Sequence, residues 1–423
     1  MATSQGNLWE GSVRAGKTVA SVLRWLKFIR QAPPGDLLMI GKTERTLKRN
    51  IIDLMVKWCG PSVVKYTVGA GELKVFDRLI YVAGANDERA AEKIQGMTLV
   101  GFYGDELSTW PESMFNMARS RLSLANAAWF GTTNPASPSH WLKGQWIDRA
   151  NRSLTRAGQL RERYDCDAID MSVFSFTLND NPHLSPAFVS SIKREYVGMF
   201  YRRFILGEWC LAEGAVYDMW DDKRHVIEHS RLPRISRFLS CGIDYGTRNP
   251  FHAVLLGVGP RPAGASGMAL YAFDEYRYDS RARRKQLTAV EYSAAYRAWL
   301  GALGVAPGVV GATPEYTCVD PSAVGFRAQL HQDGVMTAAA DNRVSSGIMT
   351  VGSLLARDRL LVSDRCKGLI AEIPGYSWDD RAAKLGRDEV IKANDHGCDA
   401  LRYGTKTPEM LWRPMLDLTD MTT

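Results

Sequence analysis

Residues 10–18 read Glu10-Gly-Ser-Val-Arg-Ala-Gly-Lys-Thr18. Within them, Gly11-Ser12-Val13-Arg14-Ala15-Gly16-Lys17-Thr18 satisfies the phosphate-loop pattern G-x-x-x-x-G-K-[ST] at every fixed position. The spacing has a chemical reason. Glycines let backbone N–H groups converge on phosphate oxygens, Lys17 reaches the β/γ-phosphates, and the Thr18 hydroxyl holds Mg2+. The flanks agree with this reading. A short strand, Asn7–Trp9, leads into the loop, and a helix over Lys17–Gln31 follows with its N-terminal dipole toward an anion.

Working outward, strands at Leu37–Ile40, Leu79–Ala83, Leu99–Tyr103 and Ala128–Thr132 alternate with helical stretches such as Thr46–Trp58. That alternation predicts a parallel sheet covered on both faces. The strand Leu99–Tyr103 delivers Asp105 toward the ATP-bound Mg2+ and Glu106 to polarise water against the γ-phosphate. The next strand ends in Thr132-Thr133-Asn134-Pro135. Polar residues at that edge of an open α/β sheet face the nucleotide, where they can sense the γ-phosphate; a plain Asn-Pro turn is the alternative. From Asn179 to Glu208 the pattern turns helical, with Asn181-Pro182 and Ser185-Pro186 as start signals.

These features predict an ATPase domain over residues 1–208, a connection over 209–237 and a second α/β domain over 238–423. In the latter, strands 238–244, 251–258 and 268–276 precede a helix over Thr288–Leu300. A strand ending at Asp320, a helix near Phe326–Gln332, a strand at Val335–Ala339 and a helix over Asp395–Tyr403 follow. Three meandering strands and then alternation suit a ribonuclease-H-like sheet. Asp244 and Asp320 stand at strand ends, and Asp395 and Asp399 lie one helical turn apart beside His396. Gathered together, such carboxylates hold Mg2+ or Mn2+, and two ions ~4 Å apart activate water and stabilise the leaving oxygen of a phosphodiester. Each acid also has a plain reading, as a turn former (Asp244, Asp320) or a helix N-cap (Asp395). The basic run Arg281-Ala-Arg283-Arg284-Lys285 is either a grip on DNA phosphates or a solvated loop.

Composition narrows the classes. With 53 Lys and Arg against 46 Asp and Glu, the net charge of +7 mildly favours a polyanionic partner. Seven scattered cysteines without a CxxC pair set aside zinc ribbons and disulfide frameworks. No run of about 18 apolar residues predicts a membrane span. The opening residues lack the basic start and apolar segment of a signal peptide, so the cytoplasm is the expected compartment.

Taken together, the motifs resemble one family, the large terminase subunits of tailed bacteriophages. The resemblance is carried by Glu10–Thr18; by Lys93-Ile-Gln-Gly-Met-Thr-Leu99, Gly104-Asp-Glu106 and Thr132–Pro135 through His140-Trp141; and by Asn394-Asp-His-Gly-Cys-Asp-Ala-Leu-Arg-Tyr403. It implies a P-loop (ASCE-type) ATPase followed by a ribonuclease-H-like nuclease, using ATP and Mg2+ or Mn2+. Arg14 and Lys17 would meet the phosphates, Asp105 and Glu106 would handle metal and water, and Thr132–Asn134 would couple hydrolysis to motion. Asp244, Asp320 and Asp399 would carry the nuclease metals, assisted by His396 or Asp395. The implied partners are double-stranded DNA, a small terminase subunit, a portal protein and further copies of the chain in a ring at the procapsid, in the host-cell cytoplasm. Ten residues precede Gly11, where relatives often carry a longer glutamine-containing adenine-binding segment; Gln5 is the candidate here. Gln95 stands where some relatives have arginine, and Arg119 and Arg121 are the candidates for an arginine finger. A P-loop helicase would differ by unwinding forked duplex, and a transposition-type recombinase by joining strands. A decayed DNA-binding assembly scaffold is opposed by the intact Gly16-Lys17-Thr18 and Asp105-Glu106.

Overall fold

The computed structural model describes residues 4–86, 91–92, 94–246, 249–262 and 265–416. Lys93, part of the Gly259–Gly267 loop and the last seven residues of the expected C-terminal tail lie outside that set. Two compact units emerge. The first runs to Val189 and takes in Met199–Leu211 and Lys384–Arg387; the second holds Ser190–Gly198, Ala212–Ala383 and the chain from Asp388 on.

In the first unit every residue of β1 (Gly6–Gly11) is buried, as a central strand requires. It pairs in parallel with β7 (Ala128–Thr133) on one side and β10 (Ile169–Phe176) on the other. Beyond β7 lie β6 (Leu99–Gly104), β2 (Asp36–Gly41) and β5 (Arg78–Gly84), all parallel. An antiparallel edge of β4 (Glu72–Val75) and β3 (Val64–Thr67) follows. Beyond β10 come β8 (Ala150–Leu154) and the antiparallel β9 (Leu160–Glu162). The acidic strand β6 is thus separated from the phosphate-loop strand by β7, which is the ASCE order. Apolar clusters cover both faces of the sheet.

No strand was expected between Thr132 and Asn179, yet β10 sits beside β1. Its sequence, Ile-Asp-Met-Ser-Val-Phe-Ser-Phe, breaks the apolar run because its serines have buried polar partners. Ser172 Oγ meets Ser4 Oγ at 2.9 Å, and Ser175 Oγ donates to Glu10 Oε1 at 2.6 Å. Asn181-Pro182 starts no helix; the Asn181 amide instead donates to the Arg14 carbonyl at 2.7 Å, and the helix begins at Pro186.

In the second unit β12 (Arg237–Asp244), β13 (Phe251–Pro260) and β14 (Met268–Tyr278) form the antiparallel meander. A separate ribbon joins β15 (Gly304–Ala306) to β16 (Val309–Val310). On one side β12 pairs in parallel with β17 (Tyr316–Val319), which pairs with β18 (Thr337–Ala339). On the other, β14 pairs in parallel with β19 (Leu360–Ser363), which pairs with β11 (Val226–Ile227). This is the ribonuclease-H-like arrangement. The strand β19 and the helices Val344–Ala356 and Lys367–Glu372 had no counterpart in the sequence reading. Among the described residues no helix is long and apolar enough to cross a membrane.

The helix His396–Lys406 lies directly on β12 because glycines face each other there. A Cβ on Gly242 would stand 1.9 Å from the Ala400 carbonyl oxygen and 2.5 Å from the Gly404 nitrogen. Ser240 Oγ donates to the Gly404 carbonyl at 2.6 Å and fixes the height of the helix. Gly242→Ala is therefore expected to lower the stability of the second unit by about 1–3 kcal/mol through overpacking. Calorimetry should show its transition moving down while that of the first unit stays; an unmoved transition would mean the helix is not held against the strand.

Candidate functional site

The phosphate loop is bent by backbone conformations that its residues allow. Gly11 has φ +124° and Gly16 has φ +92°, in a region that favours glycine, and a Cβ on Gly11 would stand 2.0 Å from the Phe176 carbonyl oxygen. Arg14 also takes the left-handed conformation, at φ 57°. Neighbouring segments pin the loop: Ser12 N donates to Phe176 O at 3.0 Å, Val13 N to Phe204 O at 2.9 Å, and Ser12 Oγ to Ile205 O at 2.7 Å.

Lys17 opens the helix Lys17–Gln31 and is 8% exposed. A buried ammonium needs acceptors. It finds the carbonyls of Gly11 and Ser12 at 3.0 and 2.5 Å and Asn134 Oδ1 at 2.9 Å. Burial lowers its pKa to about 8 against the pull of Glu10, Glu106 and Asp105. Asp105 is itself pushed up by burial, an effect opposed by hydrogen bonds from Thr132 and Asn50 and by the charge of Lys17. Glu106, at φ 54°, is raised by burial and then by its neighbour Asp105. Thr132 joins the two acids: its Oγ1 donates to Asp105 Oδ1 at 2.8 Å and accepts from Glu106 N at 3.2 Å.

Val13, Arg14, Lys17, Thr18, Asp105, Glu106 and Thr132–Asn134 line a single cleft of about 500 Å3. The remaining lining residue, Asn50, is one that sequence reasoning missed. It sits in a π-helical stretch, Lys48–Ile52, inside what reads as an ordinary helix. Such π turns cluster at functional sites, but no sequence pattern marks this one.

In the second unit a cleft of about 520 Å3 is lined in part by Asp244, Asp395, His396 and Asp399. His396 Nδ1 lies 2.7 Å from Asp244 Oδ2. That bond raises the His396 pKa, whereas burial and the charges of Asp399 and Asp320 raise that of Asp244 against it. Asp399 is held on both oxygens, by Arg402 Nη2 at 2.8 Å and Lys392 Nζ at 3.0 Å. Lys392 also lies 3.1 Å from Asp395 Oδ2, so one ammonium bridges two carboxylates. Burial opposes charge on Lys392, but Asp399 and Asp395 prevail and raise its pKa. Asp320 lies outside the cleft lining. Its Oδ1 accepts from Ser322 N and Oγ, both at 2.7 Å, and its Oδ2 from the Tyr403 hydroxyl at 3.1 Å. Among the described residues no three His, Cys, Asp or Glu side chains stand ready to hold a metal ion. The donor chemistry, carboxylate oxygens with one imidazole, nevertheless suits a hard divalent cation.

A family model described as terminase large subunit, T4likevirus-type, N-terminal, matches residues 8–221. The chain belongs to the large terminase subunit family. The large terminase of a thermophilic bacteriophage, in complex with ADP, matches with a TM-score of 0.80 at 32% identity, over 97% of this chain and 95% of that one. A second crystal form of the same thermophilic phage protein gives 0.81 at 34% identity, over 96% and 94%. The large terminase subunit of Escherichia phage T5 is 23% identical over 240 residues; the match covers 54% of this chain and spans only half the length of the T5 protein.

The geometry corrects or refines four expectations from the sequence. Gln5 is separated from the nucleotide cleft: it precedes β1 and lines a different cavity with Arg24 and Phe28, whereas the loop leaves the far end of that strand. At ~3.3 Å per residue the strand holds them some 20 Å apart. Asp395 occupies the N-cap position of its helix but makes no side-chain cap bond. The basic run divides: Arg281 lines the acidic cleft, Arg283 stacks on Tyr278 at 5.1 Å, and Lys285 pairs with Glu291 at 3.2 Å. Arg119 stacks on Trp146 at 4.8 Å, and the Arg121 carbonyl receives Leu99 N at the start of β6, the end opposite Asp105.

Proposed function

We propose that the chain is the motor and cutting subunit of a viral packaging machine, hydrolysing ATP to drive double-stranded DNA into a procapsid and cleaving the concatemer. The observation that carries this reading is the convergence of the phosphate loop, Asp105-Glu106 and Thr132–Asn134 on one cleft. It is supported by family membership and by the thermophilic phage relative, solved with ADP and with ATP-γ-S. The ATPase falls to the first unit, close to the expected residues 1–208. The nuclease falls to the second, which begins its main run at Ala212 and so takes in most of the expected connection 209–237 together with 238–423.

Gly11, Ser12, Val13, Arg14, Ala15 and Gly16 wrap the phosphates, and Lys17 offers them its ammonium. Thr18 and Asp105 would hold the nucleotide's Mg2+, which would supply positive charge beside the phosphates. Glu106, with its raised pKa, orients and deprotonates the attacking water. Thr132 links both acids, and Asn134 holds Lys17, so Thr132, Thr133 and Asn134 form the path by which hydrolysis is felt at the end of β7. In the second unit Asp244, Asp320 and Asp399, with His396 and Asp395, would hold Mg2+ or Mn2+. A bound cation supplies charge to activate water and stabilise the leaving oxygen. Arg281 at the rim meets the phosphodiester backbone without reading sequence. A small terminase subunit, a portal protein and a ring of further copies, in the host cytoplasm at the procapsid, complete the assembly.

Assaying DNA-stimulated ATP hydrolysis and plasmid cleavage on the whole chain tests the reading. Glu106→Gln should slow ATP turnover about 10²-fold or more and spare cleavage; Asp244→Asn should do the reverse. Loss of both activities in either folded variant would refute separate centres.

The lowered pKa of Lys17 sets a pH window. Below pH 8 the amine is charged; above it the charge is lost, so nucleotide affinity should fall as pH rises through about 8, approaching tenfold per pH unit. Calorimetric titration with ADP between pH 7 and 9 reads this directly, and Lys17→Met should bind weakly with a flat profile. A wild-type profile as flat as the variant's would remove Lys17 from the phosphates.

Lys392 competes for the carboxylates it bridges. Lys392→Ala should raise the affinity of the second unit for Mn2+ several-fold, the scale set by about 1 kcal/mol per partly exposed ion pair. Unchanged or weaker Mn2+ binding would show that Asp395 and Asp399 do not take the ion.

A further inference from the structure

Beneath the helix His396–Lys406 lies a set of buried ionisable groups that the proposed reaction does not use. His252 is fully buried on β13, directly opposite Asp244 in the register with β12. Glu372, the last residue of the helix Lys367–Glu372, is 4% exposed, and Glu275 on β14 is scarcely more accessible at its side chain. Groups of this kind are costly away from water unless each is paired, so their partners show what they hold.

Glu275 accepts the first amides of the helix Lys367–Glu372, from Gly368 at 2.5 Å and Leu369 at 2.9 Å, and lies 2.9 Å from His252 Nε2. At the other end of that helix, Glu372 Oε2 accepts the Gly397 amide at 2.5 Å. Its Oε1 faces Arg277 Nη2 at 3.4 Å and His252 Nδ1 at 4.0 Å. Gly397 immediately follows His396, and nothing larger fits there. A Cβ would stand 2.7 Å from His252 Cε1 and 2.9 Å from Glu372 Oε2.

We propose that Glu372 is a positioning residue of the nuclease centre, capping the His396–Lys406 helix in place of Asp395 and so fixing the reach of His396 to Asp244. The inference rests on the nuclease reading of Asp244 and Asp399. A helix N-terminus leaves amides that attract a carboxylate, and the residue at the N-cap position ordinarily supplies it. Here the cap comes from a second helix, itself anchored by Glu275. Asp395 is thereby released to face the cleft and Lys392. Without Glu372, Asp395 would turn back to cap the helix or the first turn would fray; in either case His396 and Asp399 would move.

The test uses the full chain with Mn2+ and plasmid DNA. Glu372→Gln keeps an oxygen for the Gly397 amide, whereas Glu372→Ala does not. Glu372→Ala should cut about 10²-fold more slowly, the scale of a 1 Å misplacement at a reacting centre, while Glu372→Gln retains most of the activity and both hydrolyse ATP normally. The ring-nitrogen NMR signals of His396 should shift in Glu372→Ala and return in Glu372→Gln. That signal does not depend on cleavage. A wild type that fails to cut DNA would sink the nuclease reading, and the His396 signal would still decide whether Glu372 positions it. If Glu372→Ala does not fold, Glu372→Asp, one methylene short of Gly397, takes its place with the same His396 shift expected. An unmoved His396 signal with wild-type cleavage in these variants overturns the proposal, and so does equal damage by Gln and Ala.

Discussion

The first unit depends on one buried cation. Lys17 cannot sit among β1, β7 and the loop without acceptors, and those available are two loop carbonyls and Asn134. The loop is therefore drawn toward the end of β7, where Thr132 already ties Asp105 to Glu106. The parallel order of β6, β7 and β1 makes this possible, because it brings three carboxyl-terminal strand ends to one edge. A reversed β7 would carry Asn134 to the other edge and leave the ammonium with the two loop carbonyls alone. Fold and cleft are thus fixed by the same requirement.

The second unit answers a different constraint, the close seating of a helix on a strand. Gly242 and Gly404 remove the side chains that would hold them apart, and Ser240 bonds across the gap. Asp399 and His396 are then carried at a height set by backbone contact rather than by flexible side chains. The buried carboxylate of Glu372 sets the remaining freedom, the position of the first turn.

How much of this could be read in the sequence follows from how local each signal is. The phosphate loop is legible because eight consecutive residues carry the whole pattern, and the acids at Asp105, Asp244 and Asp399 because each ends an apolar strand or repeats at helical spacing. Asn50 was not legible, since its entry into the cleft depends on a π turn that residues of ordinary helix propensity adopt. The strand β10 hid because Ser172 and Ser175 look like solvent-facing residues until Ser4 and Glu10 stand beside them. Glu275 and Glu372 looked equally ordinary: only tertiary structure aims a glutamate at another helix's amides. Asp395 shows the reverse case. Local rules assign it the cap, and a distant residue has taken that place.

The two bridging lysines show how the same side chain is set for opposite exchanges. Lys17 is held by neutral acceptors, and burial has lowered its pKa. Phosphate oxygens carry full charge, so trading carbonyls for phosphate strengthens its electrostatics without adding any desolvation beyond what folding has already imposed. Lys392 is held by two carboxylates that raise its pKa. A monovalent cation gains nothing by replacing it, since the charge on the acids would be no better balanced. A divalent cation doubles the compensating charge and binds oxygen directly, so it can displace the ammonium. The first arrangement selects a polyanion and the second a multivalent cation, each by the charge of what it must surpass.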